Sequence, residues 1–177
     1  METKPAVFLD RDGVLTEEKS YVTSVKDLAV FPYARECVEK IHEKGYYAIV
    51  VTNQSGIARG LFTEEQLLEM NQYLTEETGV DAVYYCPHHP EGKVEMYRKL
   101  CSCRKPGTGL FEAACRDFEI DMEHSYMAGD RAGDILAGKG AGLRTILLES
   151  GYGTARLEAP VEADYMVQDL RDVITIL

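Results

Sequence analysis

The stretch Phe8-Leu9-Asp10-Arg11-Asp12-Gly13-Val14-Leu15 places two carboxylates, Asp10 and Asp12, directly after a short apolar run that predicts a buried strand over 6–9. Gly13 lets the chain turn away sharply from that strand. One carboxylate can attack phosphorus and form an acyl phosphate. A second carboxylate, when protonated, can donate to the leaving oxygen and then activate water. A solvated loop with an Asx turn is the alternative interpretation of this stretch alone.

Outward from this stretch, strands and helices alternate along the chain. Apolar and β-branched runs predict strands over 6–9, 46–51, 82–85, 125–128, 144–148 and 165–167. Amphipathic runs and capping signals predict helices over 33–44, 63–78, 107–118, 132–141 and 170–176, with a loop over 161–164. This alternation predicts an α/β fold of right-handed βαβ units, in which a parallel sheet lies between helix layers as in Rossmann-like proteins.

Polar side chains follow three of the predicted strands. Asp10, Thr52 and Asp130 each come directly after an apolar run. Ligands of parallel sheets bind beyond the carboxyl ends of the strands, so the three residues predict a site on one sheet edge. A second acid, Asp134, either supports Asp130 or caps the following helix.

Two further segments supply groups suited to a phosphoryl group and a metal. Residues 50–56, Val-Val-Thr-Asn-Gln-Ser-Gly, offer a hydroxyl, amides and loop N–H groups for phosphoryl oxygens. Lys105 can neutralise an attacking carboxylate and a phosphoryl oxygen together, and Arg104 can grip oxygens bidentately. Asp10 and Asp130, with carbonyl and water oxygens, predict an octahedral Mg²⁺ site.

These segments, in this order, resemble the haloacid dehalogenase (HAD) superfamily of phosphohydrolases over nearly the whole chain. The resemblance implies that Asp10 is the nucleophile and that Asp12 is the general acid and base. It implies that Asp10, Asp130 and the backbone carbonyl of Asp12 bind catalytic Mg²⁺, and that Thr52 and Lys105 stabilise the phosphoryl group. No separate cap domain is visible between the motifs, so short loops are expected to shape the pocket of a HAD-like domain.

Three of the five cysteines fall between positions 86 and 103, in a pattern typical of zinc. Residues 86–89, Cys-Pro-His-His, and 101–103, Cys-Ser-Cys, form a C-x-H and C-x-C pair that suits a closed, structural tetrahedral site. The expected ligands of structural Zn²⁺ are Cys86, His88, Cys101 and Cys103. His89 is an alternative to His88, and the alternative to zinc is a set of reduced buried cysteines with surface histidines. Cys37 and Cys115 are expected to pack into the core.

The zinc loop, with residues 53–60 and 103–106, is similar to the heptose bisphosphate phosphatases of the superfamily. This implies removal of the C7 phosphate of D-glycero-D-manno-heptose 1,7-bisphosphate, through an aspartyl-phosphate, on the way to nucleotide-activated heptoses of surface glycans. Histidinol-phosphate phosphatases are the nearest alternative, but the 12 residues between His88 and Cys101 favour the heptose enzymes. Other small-metabolite phosphatases remain open, as does a non-catalytic sugar-phosphate-binding module, although no catalytic position is missing.

The resemblance also implies a set of substrate contacts. They are Arg11, Glu18, Lys19, Ser20, Tyr21, Thr52, Asn53, Gln54, Ser55, Arg104, Lys105 and Arg131. A bisphosphate needs a second anion grip, which Arg104 and Arg131 are expected to provide; the family usually has lysine at position 131. Residues 18–21 have a surface loop as their alternative. Arg59 and Arg98 are expected on the solvated surface.

Composition excludes several functional classes. The formal net charge of −11 disfavours binding to nucleic acid or anionic membranes, which require a positive field. No apolar run approaches the roughly 20 residues that span a bilayer, and no export signal is visible. An odd cysteine count then argues against disulfides. The sequence predicts a cytoplasmic, monomeric protein with one domain over residues 1–177, acting on a small molecule.

Overall fold

A computed structural model describes residues 2–151 and 161–177. The strands are β1 Ala6–Leu9, β2 Tyr47–Asn53, β3 Ala82–Cys86, β4 Tyr126–Gly129, β5 Arg144–Leu148 and β6 Tyr165–Val167. The helices are α1 Ala34–Glu43, α2 Glu64–Thr78, α3 Gly109–Asp117, α4 Ala132–Gly140 and α5 Leu170–Val173. Short 3-10 turns occupy Val25–Asp27, Glu95–Tyr97 and Met122–His124.

All six strands pair in parallel, in the order β3-β2-β1-β4-β5-β6. The strand order reverses between β1 and β4, which is the position where open α/β sheets bind their ligands. The register places Leu9 beside Val50 and Ala128, so these three strands end at a common edge. Asp10 extends that pairing, since its N–H donates to the carbonyl of Ala128 over 3.1 Å.

Side chains of successive strand residues enter two different cores, because a strand alternates its faces. Val7 and Leu9 of β1 belong to a core shared with α1, α2 and α5. Ala6 and Phe8 belong to a second core shared with α3 and α4, where Phe8 packs edge-on against Phe111. Both faces of the sheet are therefore covered, and the predicted three-layer α/β architecture is confirmed.

Most predicted element boundaries lie within two residues of the observed ones. Strand β2 runs further than predicted because Thr52 and Asn53 still pair with β3. Helix α3 begins at Gly109 rather than Gly107. The Gly107 N–H donates to the Arg104 carbonyl and the Gly109 N–H to the Ser102 carbonyl, so these residues form a tight turn before the helix. Helix α5 ends at Val173, and residues 161–164 form the predicted loop.

The prediction for Cys115 was wrong, whereas Cys37 is buried on α1 as expected. Helix α3 buries Leu110, Phe111 and Ala114, which share one face at helical spacing. Cys115 lies off that face and is exposed.

Within the described residues, no helix is long and apolar enough to cross a membrane.

Thr63 gives α2 a reciprocal cap. Its Oγ1 accepts from the Gln66 N–H over 3.1 Å, and the Gln66 side chain accepts from the Thr63 N–H over 2.8 Å. Thr63→Ala should lower the free energy of unfolding by about 1 kcal/mol, because the first turn loses a bonded partner. Urea denaturation would measure this. Thr108→Ala is the matched control, since Thr108 stands before α3 without a capping bond, and an equal loss there would contradict the capping account.

Candidate active site and metal centre

A cavity of about 580 Å³ opens at the carboxyl edge of the sheet. The residues predicted for the site that line it are Asp10, Asp12, Ser20, Tyr21, Asn53, Gln54, Ser55, Arg104, Lys105, Asp130 and Arg131. Gly56, Arg59, Ala132, Gly133 and Asp134 line it as well. The structure thus brings segments after β1, β2 and β4 and the segment before α3 into one site.

Lys105 is the buried cation at the floor of this cavity. Its Nζ lies 3.3 Å from Asp10 Oδ1 and 2.6 Å from Asp134 Oδ1. It also donates to the carbonyl of Val51 over 2.7 Å. Burial opposes the charged form, but the negative charges of Asp10 and Asp134 outweigh it and raise the pKa of Lys105. Lys105 therefore stays protonated at neutral pH and holds the side chain of Asp10 in place.

Asp134 serves both purposes that the sequence left open. Its Oδ2 accepts from the backbone N–H groups of Asp130 and Arg131, over 3.1 and 3.2 Å, which fixes the turn into α4. Burial raises the pKa of Asp134, and Lys105 opposes that shift. A Cβ at Gly129 would clash with the Asp134 carboxylate, so the strand end must be glycine for this carboxylate to reach Lys105.

The side-chain amide of Asn53 makes two hydrogen bonds to the backbone of Lys105. Its Oδ1 accepts from the Lys105 N–H over 2.9 Å, and its Nδ2 donates to the Lys105 carbonyl over 3.1 Å. The end of β2 is thereby tied to the segment before α3. Although Asn53 lines the cavity, its amide is used to position Lys105.

Asp12 is oriented by a guanidinium fork. Arg11 Nε and Nη2 donate to the two oxygens of Asp12, each over 3.1 Å. Gln54 Nε2 donates to Asp12 Oδ2 and Thr16 Oγ1 to Asp12 Oδ1, each over 3.3 Å. The Asp12 carboxylate is thus held at the cavity wall by three side chains, and Arg11 is 1% exposed.

Residues 16–30, after β1, form a short flap. This flap reaches the cavity through Ser20 and Tyr21. Residue 16 bridges to residues 12 and 30, which anchors the base of the flap. Glu18 Oε1 accepts from the Ser20 N–H over 2.7 Å, with Ser20 in the left-handed region at φ 64°. Glu18 Oε2 accepts from Arg131 Nη2 over 3.2 Å, so the flap is joined to the start of α4.

Four residues predicted to contact substrate do not line the cavity: Arg11, Glu18, Lys19 and Thr52. Arg11 is turned onto Asp12, and Lys19 donates to the carbonyl of Asp27 over 3.1 Å. Thr52 is buried beneath Gln54, whose Nε2 donates to Thr52 Oγ1 over 2.9 Å. Spacing in the sequence cannot show which partner a long side chain takes, and these contacts stay predictions.

The donor set at the sheet edge fits Mg²⁺. Buried carboxylate oxygens of Asp10, Asp130 and Asp134 lie within 4.8 Å of one another. Hard oxygen ligands of this kind are what Mg²⁺ prefers. Gly13, at φ 83°, leaves room for this cluster, because a Cβ there would clash with the Asp130 carboxylate. Both oxygens of Asp134 are already used, Oδ1 by Lys105 and Oδ2 by two backbone N–H groups. Asp10 and Asp130 are therefore the carboxylates that would hold the ion.

The four predicted zinc ligands form one cluster. The Sγ atom of Cys86 lies 2.9 Å from that of Cys103 and 3.5 Å from that of Cys101. His88 Nδ1 lies 3.3 Å from Cys103 Sγ and 3.6 Å from Cys86 Sγ. Three sulfurs and one imidazole nitrogen, all within 4.8 Å, could hold a tetrahedral Zn²⁺. The Arg104 N–H donates to Cys101 Sγ over 3.4 Å, which links the cluster to the cavity.

His89 lies outside the zinc cluster. Its Nδ1 accepts from the Glu91 N–H over 3.0 Å, and its Nε2 lies 3.2 Å from Arg59 Nη2. Burial first, and then the charges of Arg104 and Arg59, lower the pKa of His89.

The expectation for Arg59 was wrong, because Arg59 lines the cavity; Arg98 is exposed as expected. The segment after β2 turns back on itself, with the Arg59 N–H bonded to the Ser55 carbonyl over 3.1 Å, and this carries Arg59 to the site. The glycines at 56 and 60 were the only signal of such a turn in the sequence.

The comparison with known proteins agrees with this geometry. A family model described as HAD-hydrolase-like matches residues 102–173. The D-glycero-β-D-manno-heptose-1,7-bisphosphate 7-phosphatase of Haemophilus ducreyi is 41% identical over 177 residues, covering 97% of each chain. The chain belongs to this phosphatase family. The Vibrio cholerae phosphatase of the same name is also 41% identical, over 96% of this chain and 94% of the relative.

A solved structure of this phosphatase family carries ligands of the predicted kind. It is the D,D-heptose 1,7-bisphosphate phosphatase of B. bronchiseptica, complexed with magnesium and phosphate. It is 28% identical, with a TM-score of 0.81 over 97% of both chains.

The two neighbouring histidines give a test of the zinc cluster. His88→Ala should lose most bound zinc and lower the melting temperature, because structural metal binding is coupled to folding. His89→Ala should retain about one equivalent, since its ring lies outside the cluster. Metal analysis of both purified variants would measure this. Equal zinc contents in the two variants would contradict the assignment of His88.

Proposed function

We propose that this chain is a Mg²⁺-dependent phosphatase that removes the C7 phosphate of D-glycero-D-manno-heptose 1,7-bisphosphate through an aspartyl-phosphate on Asp10. The reaction would serve the synthesis of nucleotide-activated heptose. The observation that carries the proposal is the position of Asp10: its carboxylate meets a buried ammonium at the switch point of the sheet, with Asp12 at the same cavity. The relatives at 41% identity support the choice of substrate.

Asp10 is held ready for attack. Its Oδ1 accepts from the Arg11 N–H over 2.8 Å and lies beside Lys105 Nζ. We assign the attack to Oδ2, which forms the bond to phosphorus while the bond from phosphorus to the C7 oxygen breaks. Charge stabilisation and positioning supply most of the catalysis of phosphoryl transfer. Bound Mg²⁺, held by Asp10, Asp130 and the Asp12 carbonyl, would neutralise charge on the phosphoryl oxygens.

Asp12 moves the proton in both halves of the reaction. It gives a proton to the departing C7 oxygen, and it then takes one from the water that attacks the aspartyl-phosphate. The contacts from Arg11, Gln54 and Thr16 hold the ionised carboxylate, which is the form that takes the proton from water. The products are inorganic phosphate, the heptose 1-phosphate and regenerated Asp10.

Lys105 and Thr52 are proposed to stabilise the transferring phosphoryl group. Lys105 remains charged beside Asp10 and can compensate the negative charge of both reactants. The Thr52 hydroxyl accepts from Gln54, which leaves its own hydrogen to donate to a phosphoryl oxygen. Gln54 and Ser55 line the cavity next to it.

The cavity favours a sugar bisphosphate over histidinol phosphate. Among the residues that the structure describes, Arg59, Arg104 and Arg131 contribute the guanidinium groups that line it. A second phosphate would be attracted by this wall, whereas the ammonium of histidinol phosphate would be repelled. A binding module without turnover is disfavoured because Asp10, Asp12 and Lys105 are all in place at one cavity.

We further propose that residues 1–177 act as one domain, as a monomer in the cytoplasm. Both core clusters pack on one sheet, which supports a single domain. Sedimentation equilibrium would test the monomer, and fractionation of cells would test the location.

Asp10→Asn should reduce kcat by at least ~10³-fold, because an amide cannot replace the attacking carboxylate. Steady-state release of phosphate from the heptose bisphosphate would measure this. Asp117→Asn is the control, since Asp117 is exposed at the end of α3. Retention of wild-type turnover by purified, folded Asp10→Asn would exclude Asp10 as the nucleophile.

The substrate is tested by competition. We expect kcat/KM for the heptose 1,7-bisphosphate to exceed that for histidinol phosphate by at least ~100-fold, because only the bisphosphate matches the guanidinium wall. The α and β anomers would be assayed separately. A preference for histidinol phosphate would overturn the assigned substrate and leave the phosphatase chemistry intact.

A further inference from the structure

Two of the cationic side chains that line the cavity are paired with carboxylates. Lys105 is paired with Asp10 and Asp134, and Arg131 is paired with Glu18. In the part of the chain that the structure describes, no carboxylate oxygen lies within 4.0 Å of the guanidinium nitrogens of Arg59 or Arg104. In a protein with a net charge of −11, two uncompensated arginines on one cavity wall mark a local site for an anion.

Both arginines bury one of their donors. Arg59 Nε and Arg104 Nη1 are inaccessible to solvent and donate to no acceptor within residues 2–151 and 161–177. Leaving a buried donor of a charged group unsatisfied is costly, and such groups in folded proteins call for an explanation. Both side chains line the cavity, so an anion held there is placed to compensate their charges.

His89 adds a third donor at the same place. Its Nδ1 accepts from the Glu91 N–H, so the ring proton must sit on Nε2. Nε2 lies 3.2 Å from Arg59 Nη2, which can only donate. Two N–H donors therefore meet at this contact, and no acceptor among the described residues is bonded to His89 Nε2. An anionic oxygen placed beside both would accept from each.

The loop of the zinc cluster holds this group in position. The Val94 N–H donates to the carbonyl of Ala58 over 2.9 Å, next to Arg59 in the chain. Arg104 is bonded through its N–H to Cys101 Sγ. The backbone segments that carry the two arginines are thus bonded to the same loop.

We infer that Arg59, supported by His89 and acting with Arg104, binds the phosphate of the substrate that is not hydrolysed. This inference rests on the proposed function and extends it to a specificity-determining residue. A phosphate dianion offers three oxygens, enough to accept from the fork of Arg59, from His89 Nε2 and from Arg104. Arg131 keeps its role at the flap through Glu18.

Arg59→Gln tests the inference with two substrates that share the hydrolysed C7 phosphate and differ in the phosphate at C1, the heptose 1,7-bisphosphate and the heptose 7-phosphate. We expect KM for the bisphosphate to rise on the order of ten- to a hundred-fold, as for loss of charge-assisted hydrogen bonds. Kinetic constants for the 7-phosphate should change less than about twofold. Arg98→Gln is the matched control and should leave both substrates unaffected, since Arg98 is exposed and its side chain donates to the Gly92 carbonyl.

Two further variants separate binding from structure. Arg59→Lys should show an intermediate loss, because lysine keeps the charge and lacks the fork. His89→Ala should raise KM for the bisphosphate alone while zinc content is unchanged. An equal loss on both substrates, or wild-type selectivity in Arg59→Gln, would overturn the inference. Failure of the wild-type protein to hydrolyse or prefer the bisphosphate would instead refute the proposed function, and the inference with it.

Discussion

The buried ammonium of Lys105 is the contact on which the rest of the site depends. It joins the strand end at Asp10, the carbonyl of Val51 in β2 and the helix start at Asp134. Three separate stretches of chain meet on one charge. Neither the ammonium nor either of the two carboxylates could be buried alone without a large desolvation cost. Because two carboxylates and one ammonium do not cancel, the arrangement keeps negative charge that a divalent cation can compensate.

Around this contact, the site is built from backbone positions that are themselves fixed by side chains. Asn53 holds Lys105 by its peptide group, and Asp134 holds the peptide groups of Asp130 and Arg131. Asp12, the proposed acid and base, is likewise held by Arg11. A geometry held in this way does not have to be reorganised when charge moves during the reaction, which is the source of electrostatic catalysis.

The sequence predicted the sheet and its helices well because local rules apply there. Alternating strand and helix patterns allow few topologies, and parallel strands bring Asp10 and Asp130 to a common edge whatever the loops do. The zinc cluster was equally predictable, since its ligands come in close pairs along the chain. The contacts that long side chains make were not predictable in the same way. Arg59 was expected at the surface and lines the cavity, because a guanidinium can span several positions and selects its partner in three dimensions. The guanidinium of Arg11 is turned onto Asp12, and its contact with substrate stays a prediction.

Strands β2 and β3 pair so that Asn53 lies opposite Cys86. One of these residues positions the lysine of the phosphoryl site, and the other belongs to the thiol cluster. The two centres are therefore joined at one pair of residues on adjacent strands. The Gln54 N–H donates to the Cys86 carbonyl over 2.8 Å and adds a second bond between them. Oxidation or chelation at the cysteines is therefore expected to change the position of Lys105 through this strand pairing, without any contact between the reagent and Asp10.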